Sequence, residues 1–149
     1  MGKRCAKCGK EAGFFKSITF YKIGNEEYCA DCGKEEIEKR ISTIKITTTN
    51  NIEGYKVVDY IDIDSAEVVI GTGIFSEVEG NISDLFGARS SGFEEKLAKG
   101  KKFAMDKLKY DAMLKGGNAI IGVDLSYTEF DKNRIGIIVS GTVVKIEKS

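Results

Sequence analysis

The chain has 149 residues, 42% hydrophobic and 31% charged, and its 23 basic and 23 acidic residues give a net charge of zero. That is room for one moderate domain and a small one, with no global basic field to draw the protein onto nucleic acid or an anionic membrane. No apolar run reaches the roughly 18 residues of a membrane span, and the start lacks the apolar stretch of a secretory signal, so the expectation is a soluble, cytoplasmic protein with no membrane partner.

The first thirty-two positions hold every cysteine of the chain: Cys5, Cys8, Cys29 and Cys32, as two Cys-x-x-Cys pairs. Three chemistries use such pairs. Disulfides suit an exported domain, and no export signal is present. A thioredoxin-like redox pair sits between a strand and a helix in a βαβ unit, and two linked copies argue against it. A structural zinc site held by four thiolates fits the paired spacing, and zinc is the expected metal. Cys5-Ala6-Lys7-Cys8-Gly9 has the form of a knuckle, with glycine letting the backbone turn around the metal. Phe14 to Ile23 is rich in aromatic and β-branched residues and predicts a strand. Gly24-Asn25 is a turn signal, and Glu27-Tyr28 returns the chain. Cys29 and Cys32 then open a short helix, Asp31 to Ile41, with Ile37 and Ile41 four apart on its inner face. Knuckle, hairpin and helix in that order resemble a treble-clef zinc finger, and residues 1–42 are expected to form one metal-built module. About 40 residues rarely bury enough surface to fold alone, so this module should unfold when the metal is stripped. Residues 1–40 hold nine basic and seven acidic residues. A nucleic-acid-binding finger usually shows a distinct basic face, so that role is the minor alternative beside a docking or stabilising one.

The chain has no histidine. Imidazole is thereby excluded as a metal ligand and as a general base near neutral pH, and with it any Ser-His or Cys-His nucleophile. Acid–base chemistry would fall to carboxylates, lysines or tyrosines. The expectation is a protein that is not an enzyme.

Residues 43–149 predict an α+β domain. Thr43 to Thr49 reads as a strand, and Asn50 to Gly54 as a turn. Tyr55 to Ile70 forms a long strand, with a break expected near Asp62-Ile63-Asp64, and Gly71-Thr72-Gly73 ends it. Asn81 to Gly87 could hold a turn or two of helix. Ser91 and Glu94 have capping-box spacing, and the helix they open runs to about Lys115, where Gly116-Gly117 stop it. Its inner face is Phe93, Leu97, Gly100, Ala104, Leu108 and Ala112, spaced by three and four. Pairs such as Glu95–Lys99 and Asp111–Lys115 have i,i+4 spacing and predict a solvated helix face. Ala119–Phe130 and Ile135–Ile146 follow as two strands joined by Asp131 to Arg134. One helix covers one face of a sheet, yet the last strand carries Ile137, Val139 and Val143 on one side and Ile138, Val144 and Ile146 on the other. With no proline to blunt the sheet edges, this predicts a homo-oligomer that buries the second face, the edges or both.

Residues 47–147 resemble the YbjQ family, described as heavy-metal-binding proteins. The resemblance is carried by Thr47-Thr48-Thr49 with Gly54, by Gly71 with Ile74-Phe75, by Asp84-Leu85-Phe86-Gly87-Ala88-Arg89-Ser90 with Glu94, and by Gly117-Asn118-Ala119-Ile120-Ile121-Gly122-Val123-Asp124. It implies a dodecin-like βαββ subunit with one long helix on an antiparallel sheet, assembled as a homopentamer, and it brings no established reaction. The cysteine module is an addition to that domain. Soft metals want thiolate, thioether or imidazole, and residues 43–149 offer sulfur only in Met105 and Met113. For a harder ion the candidates are Asp59, Asp62 and Asp64, although alternating acids along a strand are more often its solvated face. A ligand or anion site is possible at Asp84, Arg89, Ser90, Ser91 and Glu94, where glycines flank a helix start and Arg89 supplies a forked donor. There a small-ligand binding protein or an enzyme would have its pocket between subunits. The main reading is a non-enzymatic zinc protein: a finger, with an unknown protein partner, carried on a ring-forming domain.

Overall fold

The structure is a computed structural model, and it describes residues 2–13, 18–71, 93–131 and 134–149. The chain divides into two compact units, Met1–Thr43 and Ile44–Ser149.

The first unit holds β1 (Phe20–Ile23), β2 (Glu26–Cys29) and helix α1 (Ala30–Thr43). The two strands form an antiparallel hairpin with Tyr21 opposite Tyr28 and Ile23 opposite Glu26. The turn between them passes through Gly24 at φ 64°, a left-handed conformation open to glycine at little cost. Ile23, Tyr28, Ile37 and Ile41 are buried, so the helix face spaced by four packs against the hairpin as its sequence period requires. Gly33 allows that contact: a Cβ there would lie 2.6 Å from Cδ2 of Tyr21.

The second unit holds β3 (Lys45–Ile46), β4 (Tyr55–Ile70), α2 (Phe93–Leu114), β5 (Ala119–Asp131) and β6 (Arg134–Lys148). Its sheet has the order β3-β5-β6-β4. The β4–β6 and β5–β6 pairs are antiparallel, and β3 runs parallel to β5. Among the described residues the core of the unit is therefore the expected βαββ order with a single long helix. Ala104, Leu108 and Ala112 have no exposed surface, and they pack with Ala66, Val68, Ile70, Ile120, Ile137, Val139 and Val143 of the sheet. Gly100 brings helix and sheet close, because a Cβ there would meet Cδ1 of Ile70 at 2.6 Å. The helix stops as its glycines predict. Gly116 takes φ 84°, its N–H donates to the Met113 carbonyl at 3.1 Å, and the Gly117 N–H donates to the Ala112 carbonyl at 2.9 Å. That pair of bonds is a Schellman motif.

Two expectations are corrected. The strand expected over Thr43–Thr49 shrinks to Lys45–Ile46, because Thr43 ends α1 and the threonines bond locally. Thr47 Oγ1 and Thr49 Oγ1 lie 2.7 Å apart, and Thr49 Oγ1 donates to the Asn51 carbonyl. Small hydroxyl residues compete in this way with ladder pairing. The segment still holds to β5: the Thr47 N–H donates to the Ile120 carbonyl, and the N–H groups of Gly122 and Val123 donate to the Thr49 and Thr47 carbonyls. Gly122 at φ 59° makes the bulge where β5 steps past β6. The break expected in β4 near Asp62-Ile63-Asp64 comes slightly earlier, as two register shifts inside one continuous strand, between Val57 and Asp59 and between Tyr60 and Asp62.

The opposite face of the sheet carries a second buried cluster, Ala119, Ile121, Val144 and Ile146, with Ile52, Tyr55 and Val57 against it. Beyond that cluster Tyr60, Ile63, Val69 and Phe130 are exposed at 69, 79, 45 and 60%. Tyr60 and Ile63 pair with Val144 and Thr142, and the Phe130 ring lies across Gly136, which pairs with Val69.

Candidate metal centre

Cys5 and Cys8 sit on a loop closed by an isolated antiparallel bridge between Arg4 and Glu11. Within it the Cys5 N–H donates to the Lys10 carbonyl at 2.8 Å, and the Gly9 N–H donates to the Cys5 carbonyl at 2.9 Å. Gly9 takes φ 74°, which is why the knuckle ends on glycine. The Ala6 N–H donates to the Glu27 carbonyl and so fixes the knuckle against β2. Cys29 is the last residue of β2, and Cys32 lies in the first turn of α1. A helix N-terminus stabilises negative charge, so this placement suits a thiolate.

These elements bring the four sulfurs together, all within 4.8 Å of one another. The Sγ atoms of Cys8 and Cys29 are 3.6 Å apart. A tetrahedral zinc with Zn–S bonds of about 2.3 Å needs sulfur–sulfur edges of about 3.8 Å, and a disulfide needs about 2.05 Å. The cluster has the dimensions of the first, and all four cysteines are free thiols. The donor set is soft and closed, so an ion here would have no open position for a substrate and would act as a structural tie.

The thiols differ in their surroundings. Burial acts to raise the Cys5 thiol, but the backbone N–H groups of Cys8, Cys29 and Lys7 together outweigh it and bring Cys5 down to about 6. Burial, followed by crowding from the sulfurs of Cys8, Cys29 and Cys5, pushes Cys32 up to about 12. A cation at the centre would offset the crowding that holds Cys32 protonated and would favour its thiolate.

Around the cluster the basic residues of the knuckle meet acids of the hairpin and helix. Lys3 lies 3.4 Å from Glu27, Lys7 2.7 Å from Glu35 and Lys10 3.4 Å from Asp31. Hydrogen bonds to Glu35 and Asp31 raise Lys7 and Lys10 above the ordinary lysine value. These cations are engaged by neighbouring carboxylates and do not make a free basic face.

The other candidate sites fare differently. Asp84, Arg89, Ser90 and Ser91 lie outside the described residues, as does the expected cap geometry. Glu94 is exposed in the first turn of α2. The proposed hard-ion ligands Asp62 and Asp64 face a cation already: Lys115 Nζ lies 2.7 Å from Asp62 and 2.9 Å from Asp64. The expected i,i+4 pairing of Asp111 with Lys115 gives way to this bridge from helix to sheet, while Lys102 pairs with Asp106 in the same helix. Sequence spacing could not show the bridge, because Asp62 and Lys115 meet only through tertiary packing. Gly33 was likewise missed as a site-shaping residue, and its position directly after Cys32 was the available signal.

Fold and site together define a βαββ α+β unit that follows a compact four-cysteine module with the geometry to hold a metal ion. The YbjQ family, whose description is "Putative heavy-metal-binding", matches residues 44–147, and the chain belongs to it. A UPF0145 protein of Bacillus thuringiensis subsp. konkukian (strain 97-27) is 38% identical over 101 residues, 68% of this chain and 98% of that relative. A UPF0145 protein of Bacillus cereus (strain ATCC 10987 / NRS 248) is 37% identical over the same shares. A crystal structure of a DUF74-family protein of unknown function from Pediococcus pentosaceus ATCC 25745 aligns with a TM-score of 0.47 and 21% identity, covering 70% of this chain and 98% of its own. The matched region begins at residue 44, so all four cysteines lie before it.

Proposed function

We propose that the chain is a non-enzymatic zinc protein. Residues 1–42 are a treble-clef-like finger in which Cys5, Cys8, Cys29 and Cys32 hold one zinc ion, and residues 43–149 form a ring, a homopentamer, that carries one finger per subunit. The observation that carries this reading is the convergence of four thiol sulfurs within 4.8 Å from a knuckle, a strand end and a helix start. Zinc would supply no reaction there; it would neutralise the thiolates and tie three elements that share little apolar core.

The family description speaks of heavy metals, but in this chain the soft donors stand apart from the family domain. Residues 44–149 contain no cysteine and no histidine. The metal chemistry of this protein is therefore assigned to the added module. The ring is supported by the partly covered second sheet face, where Tyr60, Ile63, Val69 and Phe130 stand exposed. Burying such a patch between copies is the ordinary way to remove it from water. A ring would present several identical fingers and multiply weak contacts with a protein partner by avidity. Among the described residues no helix is long and apolar enough to cross a membrane. Four thiolates kept reduced to hold a metal would suit the reducing cytoplasm.

The test is metal analysis of the Cys29→Ser and Cys32→Ser double variant beside the parent chain. The reading predicts one zinc per parent chain, none in the variant and an unchanged oligomer in both. Zinc retained by the variant would move the metal elsewhere.

A further inference from the structure

We infer that the four-thiol cluster is also a peroxide-responsive switch, in which Cys8 is oxidised first and Cys29 resolves it as a disulfide across the module. The inference rests on the reading of the cluster as a zinc site. Its observations are exposure and placement. Cys8 is exposed, whereas Cys5 and Cys29 are 2% exposed and Cys32 is half-buried. A small oxidant arriving from solvent therefore reaches Cys8 before the other three cysteines. The Cys29 sulfur lies 3.6 Å behind it, shielded from the oxidant and in contact with the sulfur it would attack.

The chemistry balances with hydrogen peroxide as the only co-reactant. The Cys8 thiolate attacks one peroxide oxygen, the O–O bond breaks and hydroxide leaves, giving a sulfenic acid on Cys8. The Cys29 thiolate attacks that sulfur, the S–O bond breaks and a second hydroxide leaves. Two thiolates lose two electrons in total, and one peroxide is reduced. Cys5 and Cys32 are left reduced, and two donors cannot hold the ion that four held.

The choice of partners has a structural consequence. Cys8 is on the knuckle, and Cys29 is at the end of β2. A bond between them keeps the knuckle tethered to the hairpin after the metal is lost. A bond inside either Cys-x-x-Cys pair would make no covalent tie between knuckle and hairpin, and among the described residues would leave that junction to backbone bonds such as Ala6–Glu27 and to exposed ion pairs. Such exposed pairs are weak ties. The crossed disulfide is thus a reversible route from a metal-tied to a covalently tied module.

The experiment uses the full chain as purified, with its metal content measured first. One equivalent of hydrogen peroxide is added, released zinc is read with a chromogenic chelator, and the thiols are blocked for disulfide mapping by mass spectrometry. The expected result is loss of one zinc per chain, a Cys8–Cys29 link, blocked thiols at Cys5 and Cys32, and recovery of zinc binding after dithiothreitol. A link confined to Cys5–Cys8 or Cys29–Cys32 overturns the inference, as does sulfinic or sulfonic acid on Cys8 without a disulfide. So does a zinc-loaded chain that keeps its metal under peroxide. A chain free of metal at the first step would instead overturn the zinc reading itself, so the two failures are separable.

Discussion

Removing the metal should unfold residues 2–43 and leave residues 44–149 folded. Among the described residues of the first unit, the buried apolar side chains outside the cluster are Ile23, Tyr28, Ile37 and Ile41. At about 1.5–3 kcal/mol each, their burial contributes roughly 6–12 kcal/mol before any entropy is subtracted. A structural zinc on thiolates contributes on the order of 10–16 kcal/mol of apparent binding energy. Stripping it removes as much as these four side chains supply, and it also leaves four thiols crowded within 4.8 Å. The ion pairs of the knuckle are exposed and too weak to compensate. The second unit has its own core around Leu108, Ile137 and Val139 and does not share this dependence. Hydrogen exchange read by mass spectrometry, before and after exhaustive chelation, separates the two. Peptides covering β1, β2 and α1 should lose protection, while those covering Ala104–Ala112 keep it. Retained protection over Phe20–Thr43 in a sample shown to be free of zinc would refute the reasoning.

Other consequences are within reach of standard measurements. Leu108→Ala empties a fully buried position beneath the sheet and should cost about 3 kcal/mol, read by urea denaturation of residues 44–149. Gly33→Ala places a Cβ against Tyr21 and should weaken zinc retention in a competition titration with a chromogenic chelator, despite alanine's better helix propensity. Lys115→Met removes the partner that holds the Asp62 carboxyl below its usual range. A depressed carboxyl contributes stability above the unfolded value of about 3.9 and loses it as pH falls through the folded value. The gap between parent and variant in thermal denaturation should therefore be open at neutral pH and close in acid. It should close again in strong base, because Lys115 is raised to about 12 by Asp62 and Asp64, and its contribution is lost as pH rises through that value. Ile63→Lys with Phe130→Lys puts charges on the exposed sheet face and should dissociate the oligomer in sedimentation without unfolding the subunit.

Much of this was legible in the residues, for identifiable reasons. The inner face of α2 follows from spacing by three and four, and Ala104, Leu108 and Ala112 are fully buried. The long β4 was read to its ends, Tyr55 and Ile70, because a turn glycine and a run of β-branched residues bound it. The two sides of β6 separate as their alternation requires: Ile137, Val139 and Val143 join the helix-side core, and Val144 and Ile146 join the other cluster. What escaped depends on contacts between distant segments. Thr47–Thr49 has strand propensity, and local hydroxyl bonds turn it aside. Lys115 has an acid four residues before it, yet its ammonium is taken by two acids on β4. In the candidate metal centre, the grouping of the four cysteines was suggested by their spacing, and the structure brings their sulfurs together. The exposure of Cys8 beside a shielded Cys29 was not, because it is set by how the knuckle folds onto β2.

The central claim is that the four cysteines hold one zinc in each chain of an assembled ring. Native mass spectrometry of untagged protein, purified without chelator, tests it most directly because it reads subunit number and metal content together. The account predicts a pentamer carrying one zinc per chain. A metal-free species would contradict the zinc site, and a monomer would contradict the ring.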